Sequence, residues 1–271
     1  MILSFSRQLF KFGFQQALSC IFPGFIFLTL GITKYLGSPL IPRYDFILLV
    51  CIILQVLMLV TKLETKDELK VITLFHLIGL ALEIYKTKMG SWAYPEFAYS
   101  KVFGVPLYSG FMYASVASYI CQAWRRFNLS LSNWPPSLLA FLFSLGVYLN
   151  FFSHHFIPDL RWILIALLFI LFFKTWVSFT VNHETYRMPM TLSFFLIAFF
   201  IWIAENISTF LGAWNYPDQM GGWKLVHLGK LSSWFLLVVI SIIIVAQLKH
   251  VKEELYSDEE DFADDDFFQA S

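Results

Sequence analysis

Two glutamates carry most of the chemistry this sequence offers. Glu83 and Glu205 each precede a glycine by seven residues, a tryptophan by nine and a tyrosine by eleven, in the runs ending Gly90-Ser-Trp92-Ala-Tyr94-Pro95 and Gly212-Ala-Trp214-Asn-Tyr216-Pro217. The two runs agree at a shift of 122 residues, at five positions that include the rare tryptophan. Such agreement points to an internal repeat. Seven residues correspond to about 10 Å of helix at about 1.5 Å per residue, so each carboxyl is expected well inside an apolar segment. An ionised group at membrane depth costs roughly 2.5 to 3.5 kcal/mol by insertion scales, which makes it a functional candidate by default. The chemistry that follows is proton donation or relay by a pair of carboxyl groups. The plainer alternative is a packing hydrogen bond or an ion pair, with Lys86 one turn from Glu83 as a local partner.

Lys224, His227, Lys230 and Trp234 recur at steps of three and four, which predicts one helical face. On that face Lys230 is the expected ion-pair partner of Glu205, unless it snorkels to the interface. His227 would then supply a group that titrates near neutral pH. His76 lies two turns before Glu83 and is expected as a packing residue; the adjacent pair His154 and His155 lacks the spacing of a metal site. Trp92, Tyr94, Trp214 and Tyr216 suit an interfacial aromatic belt. Their fixed offset from a glutamate also suits a second role, because aromatic faces attract cations and would shelter a carbocation formed by protonating an alkene. Glu83 and Glu205 are therefore the candidate catalytic residues. Trp92, Tyr94, Trp214, Tyr216, His227 and Lys230 are the candidate supporting residues.

The elements that must position these groups are set by composition. The 271 residues are 58% apolar and 19% aromatic with only 14% charged, a balance suited to a polytopic membrane protein and unlike a disordered chain or a coiled coil. Cys20, Cys51 and Cys121 are odd in number and lie in apolar runs, so a disulfide scaffold is excluded. Eight stretches are long and apolar enough to cross a layer about 30 Å thick: residues 13–33, 44–62, 70–88, 105–124, 136–153, 160–180, 189–210 and 226–247. The first lacks a small-residue cleavage site and reads as a retained helix. The fold expected is an all-α integral membrane protein of about eight transmembrane helices, arranged as two parallel four-helix repeats, residues 1–125 and 126–252. Four spans per unit is even, so both glutamates face the same side.

Net charge is zero over the whole chain, yet nine of the 19 acidic residues fall between Glu253 and Asp266. Residues 1–252 hold 19 basic and 10 acidic side chains, a net +9, while residues 253–271 form an acidic tail expected to be disordered. Ten basic residues flank the spans on the side of the N-terminus against seven on the other, which favours cytoplasmic termini. No Walker loop, dinucleotide fingerprint or serine elbow is present, so no cofactor is expected. The expected partners are the lipid bilayer and a hydrophobic lipid substrate, with no nucleic acid.

From Glu83 to Leu107, through Met-Gly-Ser-Trp-Ala-Tyr-Pro-Glu-Phe-Ala-Tyr and Gly104-Val-Pro-Leu107, the sequence resembles the YoaT-like family of bacterial multi-pass membrane proteins. That resemblance implies a bacterial cytoplasmic membrane and no particular activity. More distantly, a glutamate followed by glycine and aromatics, then Gly-Val-Pro-Leu, is similar to membrane carotenoid hydratases and lycopene cyclases, which implies acid chemistry on a polyene at Glu83 and Glu205. The competing expectations are a proton-coupled transporter using the same carboxyls, and an assembly protein acting through its tail.

Overall fold

A computed structural model describes residues 2–38 and 40–247. The acidic tail at 253–271 lies outside the described residues. Among those described there are nine α-helices: α1 (Ile2–Ser19), α2 (Ile21–Leu36), α3 (Arg43–Val60), α4 (Lys66–Lys88), α5 (Tyr108–Arg126), α6 (Ser137–Ser153), α7 (Arg161–Phe172), α8 (Met190–Phe210) and α9 (Gly229–Gln247). Five short strands accompany them: β1 (Lys101–Val102), β2 (Val105–Pro106), β3 (Ser130–Ser132), β4 (Trp176–Val181) and β5 (Glu184–Pro189). The protein is mostly helical, and the strands correct the all-α expectation.

Three helices, α3, α8 and α9, are long and apolar enough to cross a membrane, and α1 with α2 would make a fourth if the bent pair counts as one span. Only a third of the α3 window is buried inside the protein, and less of α8. Ile52, Leu57, Phe195 and Phe200 point outward from these two helices. Outward apolar faces of this extent suggest membrane association.

Two expected spans are corrected. The stretch 13–33 breaks at Cys20, where α1 and α2 meet at 72°. Pro23 explains the break, since proline removes a backbone donor and clashes with the preceding turn but is tolerated in the first turn of a new helix. The stretch 160–180 is helical only to Phe172 and continues as β4, which pairs antiparallel with β5 and with β3. The run Trp176-Val-Ser-Phe-Thr-Val181 is β-branched and aromatic, the composition that favours a pleated surface. At 12 residues α7 reaches about 18 Å, well short of the hydrocarbon layer.

Helix α4 begins at a capping box. Thr65 Oγ1 accepts from the Glu68 amide at 3.2 Å, and Glu68 Oε2 accepts from the Thr65 amide at 2.9 Å. It packs along α5, where Gly79 lets the Tyr113 ring approach so closely that an added Cβ would lie 2.3 Å from Cγ. The apolar core has two main parts. One joins α4 through α9 around Phe143, Phe172, Phe194 and Val239. The other joins α2 and α3 to the segments following α4 and α8, around Phe22, Tyr44, Tyr108 and Tyr216.

Candidate functional site

Both glutamates sit near the ends of helices that finish in the same way. After α4 the Gly90 amide donates to the Thr87 carbonyl and the Ser91 amide to that of Lys86, both at 3.0 Å. After α8 the Gly212 amide donates to Thr209 at 3.0 Å and the Ala213 amide to Ser208 at 2.9 Å. These paired bonds make Schellman caps, which need a left-handed residue that glycine supplies without strain. Gly90 has φ 71° and Gly212 φ 78°. The cap turns the chain back alongside its own helix. In extended backbone alternate side chains share a face, so at Glu83 the residues nine and eleven positions on both point back to the carboxyl, whereas at Glu205 the residue eleven positions on does so. That geometry accounts for the spacing of the motif.

The returning segments also meet each other. Ala93 and Asn215 form an isolated antiparallel bridge, each amide donating to the other's carbonyl at 2.9 Å. These two residues are themselves 122 apart in sequence. Arg43, at the start of α3, donates to the Leu211 and Gly212 carbonyls at 2.6 and 3.2 Å and pairs with Glu96, which ties the end of α8 to the first half of the chain.

Glu83 is 6% exposed and accepts three hydrogen bonds: Trp92 Nε1 and Tyr94 OH at 2.6 Å on Oε2, and Tyr113 OH at 2.8 Å on Oε1. Glu205, 4% exposed, accepts from Tyr216 OH on Oε1 and from Trp234 Nε1 at 2.7 Å on Oε2. Burial, then the neighbouring Glu83 charge, pushes the Tyr94 phenol well above its ordinary value, and burial and Glu205 do the same to Tyr216. Both phenols therefore stay protonated as donors. The two carboxyl environments touch through their donors, since Trp92 packs edge-on against Tyr216 with centroids 6.1 Å apart, and Tyr113 lies 6.5 Å from Trp234.

The Lys230 ammonium sits over the Tyr216 ring at 4.4 Å and over the Trp92 ring at 4.9 Å, a cation held by two aromatic faces. It makes no direct ion pair with Glu205, contrary to the sequence expectation, because Tyr216 and Trp234 already occupy the carboxylate. Lys86 likewise turns away from Glu83. Its ammonium lies 3.3 Å from His154 Nδ1 and 3.2 Å from His155 Nε2. Burial and then the Lys86 charge push the His154 imidazole below its ordinary value.

Most of these groups border one cavity of about 760 Å³, whose wall includes Glu83, Glu205, Trp92, Tyr216, Lys230 and Trp234, while Tyr94 and His155 stand behind it. That volume lies within the roughly 300 to 1,000 Å³ usual for small-molecule sites. From the carboxyls the cavity continues along apolar side chains of α1, α2, α5 and β4, including Phe12, Phe27, Phe127 and Phe179. Arg161 and His154 also line it.

Of the residues singled out in the sequence, Glu83, Trp92, Tyr94, Glu205, Tyr216 and Lys230 come together. Trp214 lines the cavity beside Tyr216 and does not take the place on Glu205 that Trp92 takes on Glu83. His227 is not brought in. Helix α9 starts at Gly229, so Lys224 and His227 precede it and are exposed, and His227 Nδ1 accepts from the Gly229 amide at 3.0 Å. The predicted face of four therefore reduces to Lys230 and Trp234. His76 stacks edge-on against Phe111 with centroids 4.5 Å apart, the packing role expected of it. Sequence reasoning missed Tyr113 as a donor. Its signal was its position, 30 residues after Glu83 where Trp234 stands 29 after Glu205. Among the described residues no group of three or more His, Cys, Asp or Glu side chains is placed to hold a metal ion.

With this geometry in view, the chain belongs to a family of proteins of unknown function, DUF817, whose model matches residues 8–242. Within it, the chain is 60% identical over 248 residues to the uncharacterised protein YoaT of Bacillus subtilis (strain 168), covering 92% of this chain and 94% of that one. The YoaT-like resemblance read between Glu83 and Leu107 thus extends over most of the sequence. The fainter likeness to carotenoid hydratases and lycopene cyclases gains no support from these comparisons. No solved structure matches.

Proposed function

We propose that the protein is a polytopic enzyme of the bacterial cytoplasmic membrane that uses Glu83 and Glu205 for acid chemistry on a prenyl-type lipid. The observation that carries this reading is the cavity. Both buried carboxyls, with Trp92, Tyr113, Tyr216 and Trp234, border one space whose wall is mostly apolar and carries a few basic groups. An acid beside a hydrocarbon-lined chamber with aromatic faces is what protonation of an alkene requires.

In this scheme Glu205, with two donors, is the proton carrier, and Glu83, held by three, remains the ionised partner. A carboxylate is acceptor-only, so three donors favour its charged form. The Glu205 O–H bond breaks as its proton forms a C–H bond with the alkene π pair, leaving a carboxylate and a carbocation. A proton then leaves the adjacent carbon to a carboxylate and the C–H pair restores an alkene. Atoms balance without a co-reactant for isomerisation or cyclisation, and with one added water for hydration.

The organisation proposed is two parallel units, 1–125 and 126–252, with both termini cytoplasmic, in which the bend at Cys20 and the short α7 leave fewer than eight full-length crossings. The matched caps at Gly90 and Gly212 support it, as does the bridge between Ala93 and Asn215. An isologous contact between equivalent residues is the signature of a two-fold axis, here a pseudo-axis along the membrane normal. Lys230, a cation close to two carboxyls without a direct ion pair, favours a second reading as a proton-coupled transporter. Comparison of total lipid extracts from cells carrying the wild-type chain and Glu205→Gln separates the two. Loss of a prenyl-lipid product is expected for the enzyme. An unchanged lipid profile with lost pH-dependent uptake overturns it in favour of transport.

A further inference from the structure

Among the described residues, the buried Lys86 and the half-buried Lys230 on the cavity wall have no acidic partner at ion-pair distance. Lys86 is 4% exposed and its contacts are the imidazoles of His154 and His155. Lys230 is held by aromatic faces alone. A buried charge is ordinarily paired. Arg161, on the same wall, is partly compensated: it meets Asp159 at 3.0 Å and donates to the Gly229 carbonyl and to Ser232 Oγ, each at 3.1 Å. The other acids facing this end are Glu83 and Glu205, each already occupied by neutral donors, and Asp218, which faces Lys230 at longer range. Phe12, Phe127 and Phe179, which also line the cavity, pack together beyond the C-terminal end of α5, fourteen residues past Tyr113, and make an apolar wall there.

We propose that the cavity takes an anionic amphiphile, with a phosphate or carboxylate head group seated between Lys86 and Lys230 and its isoprenoid chain laid along the aromatic wall toward Phe12, Phe127 and Phe179. The isoprenoid nature of the chain rests on the proposed acid chemistry; the charge of the head group does not. Lys86 follows Glu83 by three residues, a rise of about 4.5 Å on the same helix. A head group seated there brings the first double bond of the chain to the carboxyls, so the head-proximal alkene is the one protonated.

The test compares farnesyl phosphate with farnesol, binding to the full-length protein in neutral phosphatidylcholine nanodiscs. The phosphate is expected to bind at least tenfold more tightly. Lys86→Met should lose that preference while retaining the alcohol, and Lys230→Met should do the same if the first variant fails to fold. Equal affinity for the two probes overturns the proposal, as does a variant that weakens both alike. Displacement of farnesyl phosphate by an equal concentration of inorganic phosphate also overturns it, since the site would then belong to the free ion. Glu205→Gln keeps the acid reading separate. A surviving head-group preference with an unchanged lipid profile sinks the acid chemistry alone, whereas a missing preference with a changed profile sinks this inference alone.

Discussion

The Glu83 and Glu205 environments are built from the same parts and finished differently. Each glutamate is near the end of a Schellman-capped helix, and each accepts from the tyrosine eleven residues on. At Glu83 the motif tryptophan also donates, and Tyr113 of α5 adds a third bond. At Glu205 the motif tryptophan turns to Tyr216, and Trp234 of α9 takes its place. One carboxyl therefore has three donors and the other two. The same motif spacing can thus hold two acids while the surrounding helices give them different sets of donors.

The largest effect expected from this asymmetry is on turnover. Glu205→Gln should cost about 10² to 10⁴ in the rate of lipid conversion, the usual worth of a general acid. Glu83→Gln should cost about tenfold or less, as the loss of a stabilising charge. Equal losses in an assay of membranes with a prenyl substrate would erase the distinction between the two acids.

Stability should show the same ordering on a smaller scale. Trp92→Phe removes a hydrogen bond to the buried Glu83 carboxyl and is expected to cost about 1 to 3 kcal/mol, against less than about 1 kcal/mol for Trp214→Phe, which leaves both glutamates' donors in place. Thermal unfolding in detergent measures both, and the reverse order would break the comparison. Gly79→Ala sharpens it from behind the site, through Tyr113. Its Cβ would collide with the Tyr113 ring, so it should cost about 1 to 3 kcal/mol by overpacking and lower turnover through the lost third donor.

The smallest effect expected is a pH dependence confined to the Glu83 side, where Lys86 meets the histidines. His154 is held below the ordinary imidazole value of 6.5 by burial and by Lys86, so on acidification the unfolded chain takes up the proton first. Its contribution to stability is complete above about pH 6.5 and is lost as pH falls below that value. His154→Gln should flatten the decline of the unfolding midpoint between neutral pH and pH 5, while an equally steep decline in the variant would assign it elsewhere.

Much of this was legible before any coordinates. The offsets of nine and eleven residues were read as a fixed relation between an acid and two aromatics, and the cap supplies their mechanical cause. Lys230 reaches the site as its spacing suggests but rests on aromatic faces rather than on Glu205, and Lys86 meets histidines rather than Glu83, because short-range spacing assigns a cation to the nearest acid. In the folded protein, aromatic hydroxyl and indole groups outcompete both lysines for the carboxylates. His227 was misplaced for another reason. Steps of three and four imply a shared face only within a helix, and α9 begins two residues too late.

By itself the sequence determined most of the helical segments, though not the break at Cys20 or the turn to strand after Phe172, and the E-x7-G-x-W-x-Y element, because these depend on local periodicity and on the single residue type that tolerates a left-handed turn. Only the tertiary structure decided that Ala93 faces Asn215, that Tyr113 and Trp234 complete the two acids, and that a basic cluster closes one end of an apolar chamber. Those contacts join residues roughly 30 to 120 positions apart, and no local propensity encodes which helix faces come to lie against one another.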